Sequence, residues 1–173
     1  MIPDWMTSAS RQFDTVLVAN RGEIAVRVLR AAKESGLRGV AVYSDPDTGS
    51  LHVENADQAV HLPGTTLADT YLNADAIIEA ARSTGAQAIH PGFGFLSERA
   101  DFANAVKAAG LIWIGPPADA INTMGDKISA RRCMIESGVP VIPGEEISMG
   151  GDSDHLGVSV SYTHLTLPTI CSV

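Results

Sequence analysis

A short apolar strand that passes through a polar turn into an amphipathic helix constrains the fold more than any other feature of this sequence. Residues 16–18 are Val-Leu-Val, residues 19–23 are Ala-Asn-Arg-Gly-Glu, and the helix then continues to about residue 34. Its apolar residues share one side, as in a helix that packs on a sheet. Gly36 can end the helix because glycine tolerates the left-handed conformation. This unit is typical of an α/β domain, in which ligands bind beyond the carboxyl ends of the strands.

The same alternation of strand and helix continues along the chain. Further strands are predicted at residues 39–44, 59–62, 88–90 and 111–114, and further helices at residues 73–84, 98–109 and 127–137. Short apolar strands that alternate with helices favour a mostly parallel sheet with helices on both faces. The predicted fold class is therefore α/β, with a domain junction near Gly125.

The amino-acid composition limits the kinds of binding partner and the cellular compartment that we expect for this chain. The chain has 173 residues, 45% of them hydrophobic, and a net charge of -8, which argues against broad binding to nucleic acid or to anionic membranes. Cys133 and Cys171 lack the paired spacing of a zinc site, and reduced thiols are typical of cytosolic proteins. No segment approaches the roughly 20 apolar residues that span a bilayer. We expect a cytoplasmic protein without a nucleic-acid or membrane partner.

Two turns at predicted strand ends could carry chemistry. Residues 20–23 offer Arg21 for directional hydrogen bonds, although Arg21 could equally be a solvated turn residue. Residues 90–98 contain Gly92 and Gly94, which would let a ligand approach the backbone. Neither turn has the three-glycine fingerprint of a dinucleotide site, which weakens a hydride-transfer function. The second turn also has a purely structural interpretation. In it, Ser97 caps a helix, Phe93 and Phe95 pack in the core, and His90 is a hydrogen-bonded histidine at the strand end.

Lys127 is predicted in the first turn of a helix, where a cation opposes the helix dipole unless an anion lies nearby. This position fits a contact to phosphate or carboxylate, and neutralisation by Asp126 is the local alternative. The sequence shows no nucleophile elbow or other paired nucleophile signature. A Ser-His-Asp or Cys-His nucleophile arrangement is therefore not predicted.

Several segments together resemble, in order, the amino-terminal part of biotin carboxylases: residues 18–27, 41–45, 71–73, 88–98, 114–116 and 124–127. The resemblance covers about residues 13–144 and looks closest to bacterial acyl-CoA carboxylase α subunits. It implies an ATP-grasp ligase that carboxylates carrier-bound biotin with ATP and bicarbonate. It also implies an extension at residues 1–12, a Rossmann-like pre-ATP-grasp domain at residues 13–124 and the first helix of an incomplete ATP-grasp domain within residues 125–157.

The resemblance further implies roles for individual residues. Lys127 matches a lysine that contacts ATP, and Phe93 with Gly94 matches an aromatic-glycine pair on the biotin side. The family more often has tyrosine at position 93, so a phenolic hydroxyl is absent here. Arg30 and Glu34 match homodimer-interface positions, which competes with an i,i+4 surface pair. The implied cofactors are ATP with Mg²⁺ or Mn²⁺ and biotin, and the implied partners are a biotin carboxyl carrier domain and a carboxyltransferase subunit.

The resemblance implies that most of the catalytic centre lies outside this chain. The glycine-rich ATP loop, a second ATP lysine, the metal-binding glutamates and the bicarbonate and biotin arginines are expected beyond residue 157. Residues 158–173 resemble translated sequencing adapter and are expected to be a non-native tail. The resemblance thus implies no catalytic residue and no metal ligand in this chain, which alone is then predicted to be inactive. A non-catalytic dimerisation or binding module and a nucleotide-dependent oxidoreductase domain stay open as alternatives.

Overall fold

Strands and helices alternate along the chain in a computed structural model that describes residues 12–142. The strands of this part are β1 (Thr15–Val18), β2 (Arg38–Tyr43), β3 (Gln58–His61), β4 (Ala88–His90) and β5 (Ile112–Trp113). Its helices are α1 (Gly22–Glu34), α2 (Leu51–Glu54), α3 (Ala74–Thr84), α4 (Ala100–Ala108), α5 (Ala118–Gly125) and α6 (Lys127–Glu136). The predicted α/β class is confirmed.

The five strands form one sheet in the order β3-β2-β1-β4-β5, and every neighbouring pair is parallel. Strand β1 is central, with β2 on one side and β4 on the other. From β1 the chain adds β2 and then β3 on one side of the sheet. After α3 it crosses to the other side of β1, where it adds β4 and then β5. The strand order therefore reverses beside β1, and crevices at such reversal points are where open α/β sheets bind ligands.

Both faces of the sheet are covered, as the continuous apolar strands require. Leu17, Val40 and Ile89 face one layer, where they share a core with residues of α3 and α4. Val18 and Ala41 face the other layer, under Ala25 and Leu29 of α1. Each fully buried aliphatic side chain contributes about 1.5–3 kcal/mol relative to exposure, so these two layers supply most of what holds the sheet together.

Helix α3 has the boundaries that its sequence predicted. The Asn73 side chain accepts a hydrogen bond from the Ala76 amide at 3.0 Å, which caps the first turn. Gly85 follows the last turn in the left-handed conformation, with φ of 70°. The cap at Asn73 and the stop at Gly85 are both confirmed.

Helix α4 begins later than predicted. Phe95–Glu98 forms a short 3-10 turn, and Arg99 precedes the first residue of α4 without a side-chain cap. The interpretation of Ser97 as a helix cap is therefore wrong, because the 3-10 turn takes up the residues that would have formed the first helical turn. A second difference is α2, a short helix that was not among the predicted ones and that follows another 3-10 turn at Asp45–Asp47.

His52 of α2 is a fully buried histidine with one unpaired ring nitrogen. Its Nε2 lies 3.2 Å from the carbonyl oxygen of Val42, which assigns the proton to Nε2. Its Nδ1 is buried and has no hydrogen-bond partner in the described part of the chain. Burial lowers the pKa of His52, an effect that Asp47 partly opposes and Arg21 adds to. The folded protein therefore holds a neutral imidazole.

We predict that acid weakens the fold through His52. The unfolded chain binds a proton near the ordinary pKa of 6.5, whereas the folded chain resists it, so the free energy of unfolding falls as the pH drops below that value. His52→Gln keeps an amide donor for Val42 and cannot titrate. Urea unfolding between about pH 7.5 and pH 5.5 should show a steeper pH dependence for the natural chain, up to about 1.4 kcal/mol per pH unit. Equal slopes would contradict the assignment.

Candidate functional site

One buried amide joins the segments that follow the two central strands. Asn20, 3% exposed, comes two residues after β1. Its Nδ2 donates to the carbonyl oxygens of Pro91 at 3.0 Å and Phe93 at 2.9 Å, both in the segment after β4. Its Oδ1 accepts a hydrogen bond from the Arg21 amide at 3.0 Å. Both N–H donors of the amide thus hold the segment after β4, and one acceptor position of its oxygen holds the backbone of its own turn.

The segment at residues 91–95, here called the rim loop, has a backbone that few residue types could adopt. Gly92 has a φ of 71°, and a Cβ there would lie 2.5 Å from Asn20 Nδ2. Gly94 has φ of 66° and ψ of -159°, a region that is nearly exclusive to glycine. Phe95 follows with a φ of 48°. These glycines therefore serve close packing and an unusual path of the chain.

The two phenylalanines of the rim loop have opposite environments. Phe93 is 74% exposed, so its interpretation as a core residue is wrong. Phe95 packs against the core and stacks on Tyr71 with ring centroids 5.6 Å apart and an interplanar angle of 12°. The positive φ angles at Gly94 and Phe95 turn the second ring inward. The first ring is left at the carboxyl edge of the sheet.

His90 is a satisfied strand-end histidine, as its structural interpretation predicted. Its Nδ1 accepts a hydrogen bond from the Gly92 amide at 3.0 Å. Burial lowers the pKa of His90, so the neutral ring is favoured. Its role in the described structure is to support the start of the rim loop.

On the other side of β1, four side chains form a connected group, here called the Asp47 cluster: Arg21, Ser44, Asp47 and Tyr71. Arg21 Nη2 donates to Asp47 Oδ1 at 2.5 Å. The Tyr71 hydroxyl donates to Asp47 Oδ2 at 2.6 Å, and the Ser44 hydroxyl donates to the same oxygen at 3.0 Å. The Arg21 guanidinium also lies 5.8 Å from the centroid of the Tyr71 ring. Arg21 thus remains partly solvated, with 46% of its side chain exposed, but it is also held by an ion pair that the solvated interpretation did not include.

The protonation states of the Asp47 cluster follow from its contacts. Burial alone would raise the pKa of Asp47, but hydrogen bonds from Tyr71, Arg21 and Ser44 outweigh burial and lower it. Burial and the hydrogen bond to Asp47 raise the pKa of Tyr71 to about 12. At neutral pH the carboxylate is charged and the phenol is protonated. The charge of Arg21 is thus directed inward, to hold the turn after β1.

We predict that Asp47→Asn destabilises the protein by about 2–3 kcal/mol, because an amide group in place of a carboxylate leaves a buried donor unpaired and removes the charge beside Arg21. Asp101→Asn is the matched control, since Asp101 also pairs with an arginine, Arg99, but in an exposed position. It should cost less than about 1 kcal/mol. Urea unfolding at neutral pH measures both. Equal losses in the free energy of unfolding would show that the Asp47 cluster stabilises the fold no more than the exposed pair does.

A mostly apolar groove lies between α1 and the rim loop. It has a volume of about 480 Å³. Its lining includes Ile24, Arg27 and Val28 on the helix and Gly92 and Phe93 on the loop. The exposed ring of Phe93 therefore borders a space large enough for a small molecule or for part of another chain.

Lys127 does not line this groove. It is the first residue of α6, and Asp126 caps that helix through a 2.8 Å hydrogen bond from the Ser129 amide. Within residues 12–142, Lys127 forms no ion pair. Asp126 is therefore engaged with the helix end, and of Lys127 and Phe93 only Phe93 lines the groove.

Arg30 and Glu34 lie together on the exposed side of α1. Arg30 Nε is 3.9 Å from Glu34 Oε1, and both side chains are 71% exposed. The i,i+4 surface pair is confirmed. An exposed ion pair of this kind adds little to stability. Little free energy would therefore be lost if the two side chains separated to contact another chain in an interface.

Residues 12–142 contain no group of three histidine, cysteine, aspartate or glutamate side chains arranged to hold a metal ion. None of the helices in this part has both the length and the apolar character needed to span a bilayer.

The sequence of this chain matches a known protein family. Residues 12–121 match the family described as biotin carboxylase, N-terminal domain. The chain is 59% identical over 131 residues to the mitochondrial methylcrotonoyl-CoA carboxylase subunit alpha of Oryza sativa subsp. japonica, covering 76% of this chain and 18% of the relative. It is 46% identical over 152 residues to the biotin carboxylase of Halalkalibacterium halodurans, covering 87% of this chain and 34% of the relative.

A solved structure shares both fold and sequence. It is the dimeric biotin carboxylase domain of the Hydrogenobacter thermophilus 2-oxoglutarate carboxylase in complex with MgADP, ADP and bicarbonate. The TM-score is 0.73 at 47% identity, covering 78% of this chain and 30% of that one. The chain thus spans only about a third of this structure and of the bacterial relative. On the match over residues 12–121, the chain belongs to the family of biotin carboxylase N-terminal domains.

Proposed function

We propose that this chain is the amino-terminal part of an ATP-dependent biotin carboxylase within an acyl-CoA carboxylase. The match of residues 12–121 to the family carries the proposal. In this proposal residues 13–124 are the pre-ATP-grasp domain, after an extension at residues 1–12, and residues 125–157 begin the ATP-grasp domain. The break between α5 and α6 at Asp126 supports a junction there.

The proposed reaction is the carboxylation of carrier-bound biotin. ATP supplies the phosphoryl group that activates bicarbonate, and the ureido nitrogen of biotin takes up the carboxyl group. The solved relative supports this choice of ligands, since its crystal structure is a complex with MgADP, ADP and bicarbonate. A biotin carboxyl carrier domain would present the biotin, and a carboxyltransferase subunit would pass the carboxyl group to the acceptor.

Lys127 is proposed to contact ATP. It lies in the first turn of α6, where the amide groups of a helix start favour anions. Asp126 is occupied in capping the helix. The lysine charge therefore adds to the positive end of the helix, and a phosphate group is the ligand that best compensates both.

In a longer polypeptide that includes the remaining ATP residues, we predict that Lys127→Ala weakens ATP binding at least about tenfold, the effect of losing about 1.4 kcal/mol. Lys107→Ala is the control, because Lys107 is an exposed lysine near the end of α4. Isothermal titration with ATP measures both. An unchanged ATP affinity in Lys127→Ala would remove this residue from the site.

Phe93 and Gly94 are proposed to border the biotin side. The exposed Phe93 ring offers an apolar face, and the absence of a side chain at Gly94 lets a ligand approach the backbone. A role for a phenolic hydroxyl at position 93 is not available to this protein. Ring packing and the Gly94 backbone would carry the contact.

Arg30 and Glu34 are proposed to lie in a homodimer interface. One arginine and one glutamate on the same exposed helix face make a self-complementary pattern, which a two-fold axis can use twice. The solved relative is described as a dimer, which supports the proposal.

We predict that Arg30→Glu weakens self-association in the longer polypeptide, because two glutamates would then face each other in each half of the interface. The exchange variant Arg30→Glu with Glu34→Arg should recover part of the association, since it restores opposite charges. Sedimentation velocity over a concentration series measures this. Association that is the same in all three proteins would remove the pair from the interface.

The chain alone is proposed to be inactive. A single lysine cannot balance the charge of a triphosphate during phosphoryl transfer, which needs divalent metal and several cations. The described residues do not fit a Mg²⁺ or Mn²⁺ site, so in this proposal the metal ligands belong to the remainder of a longer protein. Residues 158–173 lie outside the described part of the chain, and their non-native origin stays a prediction.

A non-catalytic dimerisation module is the second candidate, favoured by the exposed Arg30–Glu34 pair. Titration of the longer polypeptide with ATP and NADH separates the candidates: ATP binding alone supports the carboxylase, NADH binding supports an oxidoreductase, and binding of neither supports the module. The cytoplasmic location stays a prediction, since the rice relative is named as mitochondrial.

A further inference from the structure

The rim loop depends on a side chain to which the family resemblance gave no role. Asn20 is buried, and its amide contacts the loop at two carbonyl oxygens on either side of Gly92. We infer that Asn20 is a positioning residue that fixes the rim loop and thereby places Phe93 and Gly94. Its relevance to biotin rests on the proposed function, whereas its control of the loop does not.

The chemistry of the contact requires an amide. Two carbonyl oxygens face Asn20 Nδ2 at 3.0 and 2.9 Å, and one backbone amide faces its Oδ1. Only a group with donors on one side and an acceptor on the other satisfies all three. An aspartate of the same shape would set a carboxylate oxygen against two carbonyl oxygens, without a proton between them. Asn20→Asp is therefore a change of hydrogen bonding with almost no change of volume.

The loop would not keep its path without this contact. Phe95 is a non-glycine residue at positive φ, a conformation that costs of order 1 kcal/mol or more and persists only when surrounding contacts impose it. Asn20 holds the Phe93 carbonyl just before Gly94, and the stacking of Phe95 on Tyr71 holds the other end. Release of the first anchor allows Gly94 to relax and moves the exposed Phe93 ring.

The first test uses the 173-residue chain and ¹⁵N relaxation of the Phe93 and Gly94 amides. Asn20→Asp should shift both resonances and lower their order parameters. Asn73→Ala is the stability control, since loss of this helix cap costs about 1 kcal/mol and leaves the hydrogen bonds of Asn20 to the rim loop in place. It should leave both amides unchanged. Unchanged amides in folded Asn20→Asp would overturn the inference.

A second variant approaches the same contact from the loop. A Cβ at Gly92 would lie 2.5 Å from Asn20 Nδ2, whereas Gly49 also has positive φ but no atom within 4 Å of such a Cβ. Gly92→Ala should disturb the Phe93 and Gly94 amides, and Gly49→Ala should not. This pair decides the question if Asn20→Asp does not fold. Equal effects of the two alanines would overturn the inference.

The kinetic test places residues 13–142 in the matching part of the Halalkalibacterium halodurans biotin carboxylase. Asn20→Asp should raise KM for free biotin about tenfold, equivalent to about 1.4 kcal/mol, and leave KM for ATP within about twofold. An unchanged KM for biotin, or equal changes for both substrates, would overturn the positioning role. An inactive parent chimera would count against the proposed function instead, and the amide measurements would still decide whether Asn20 controls the loop.

Discussion

The hydrogen bonds of Asn20 extend the contact between the two central strands beyond the point where their backbone ladder ends. β1 and β4 pair as far as Val18 and His90, and the Ala19 amide still donates to the His90 carbonyl at 2.9 Å. Past that position the two segments turn apart, because one enters α1 and the other enters the rim loop. The Asn20 side chain supplies the donors that the backbone no longer offers. This single contact therefore sets the shape of the sheet edge where a ligand would bind.

Two consecutive residues connect the central strand to both of its neighbours. Asn20 reaches the segment after β4, and Arg21 reaches Asp47 in the segment after β2. Tyr71 then links the two sides, since it hydrogen-bonds Asp47 and stacks on Phe95 at the end of the rim loop. The result is a closed ring of contacts around the carboxyl end of β1. Each member depends on the others, so the edge is expected to be ordered before any ligand binds.

Much of the fold could be predicted because its signals are local. The Asn73 cap and the Gly85 stop of α3 depend on residues within one turn of the chain, and the apolar strands need only their own composition. The Asp47 cluster could not be predicted in this way, since Arg21 and Asp47 are 26 positions apart and meet only after β1 and β2 pair. The sequence around Asp47 does not indicate that its side chain will contact Arg21 in the folded protein.

The rim loop shows a second limit of sequence reasoning. Phe93 and Phe95 have the same side chain and differ in position by two, yet one is exposed and the other packs on the core. The choice depends on backbone angles at Gly94 and Phe95, which the hydrophobic pattern does not encode. The glycines did indicate an unusual backbone. Only the structure of the rim loop backbone shows that the Phe93 ring points outward and the Phe95 ring inward.

Amide hydrogen exchange in the ligand-free 173-residue chain tests the central claim most directly. The amides of Arg21, Ser44 and Gly92 each donate to a side chain of the sheet edge, namely Asn20, Tyr71 and His90. If these contacts form a preformed edge, all three amides exchange slowly, close to the rate of the Ala19 amide in the central ladder. Exchange of the three at the rate of an unstructured peptide, with Ala19 still protected, would contradict the account.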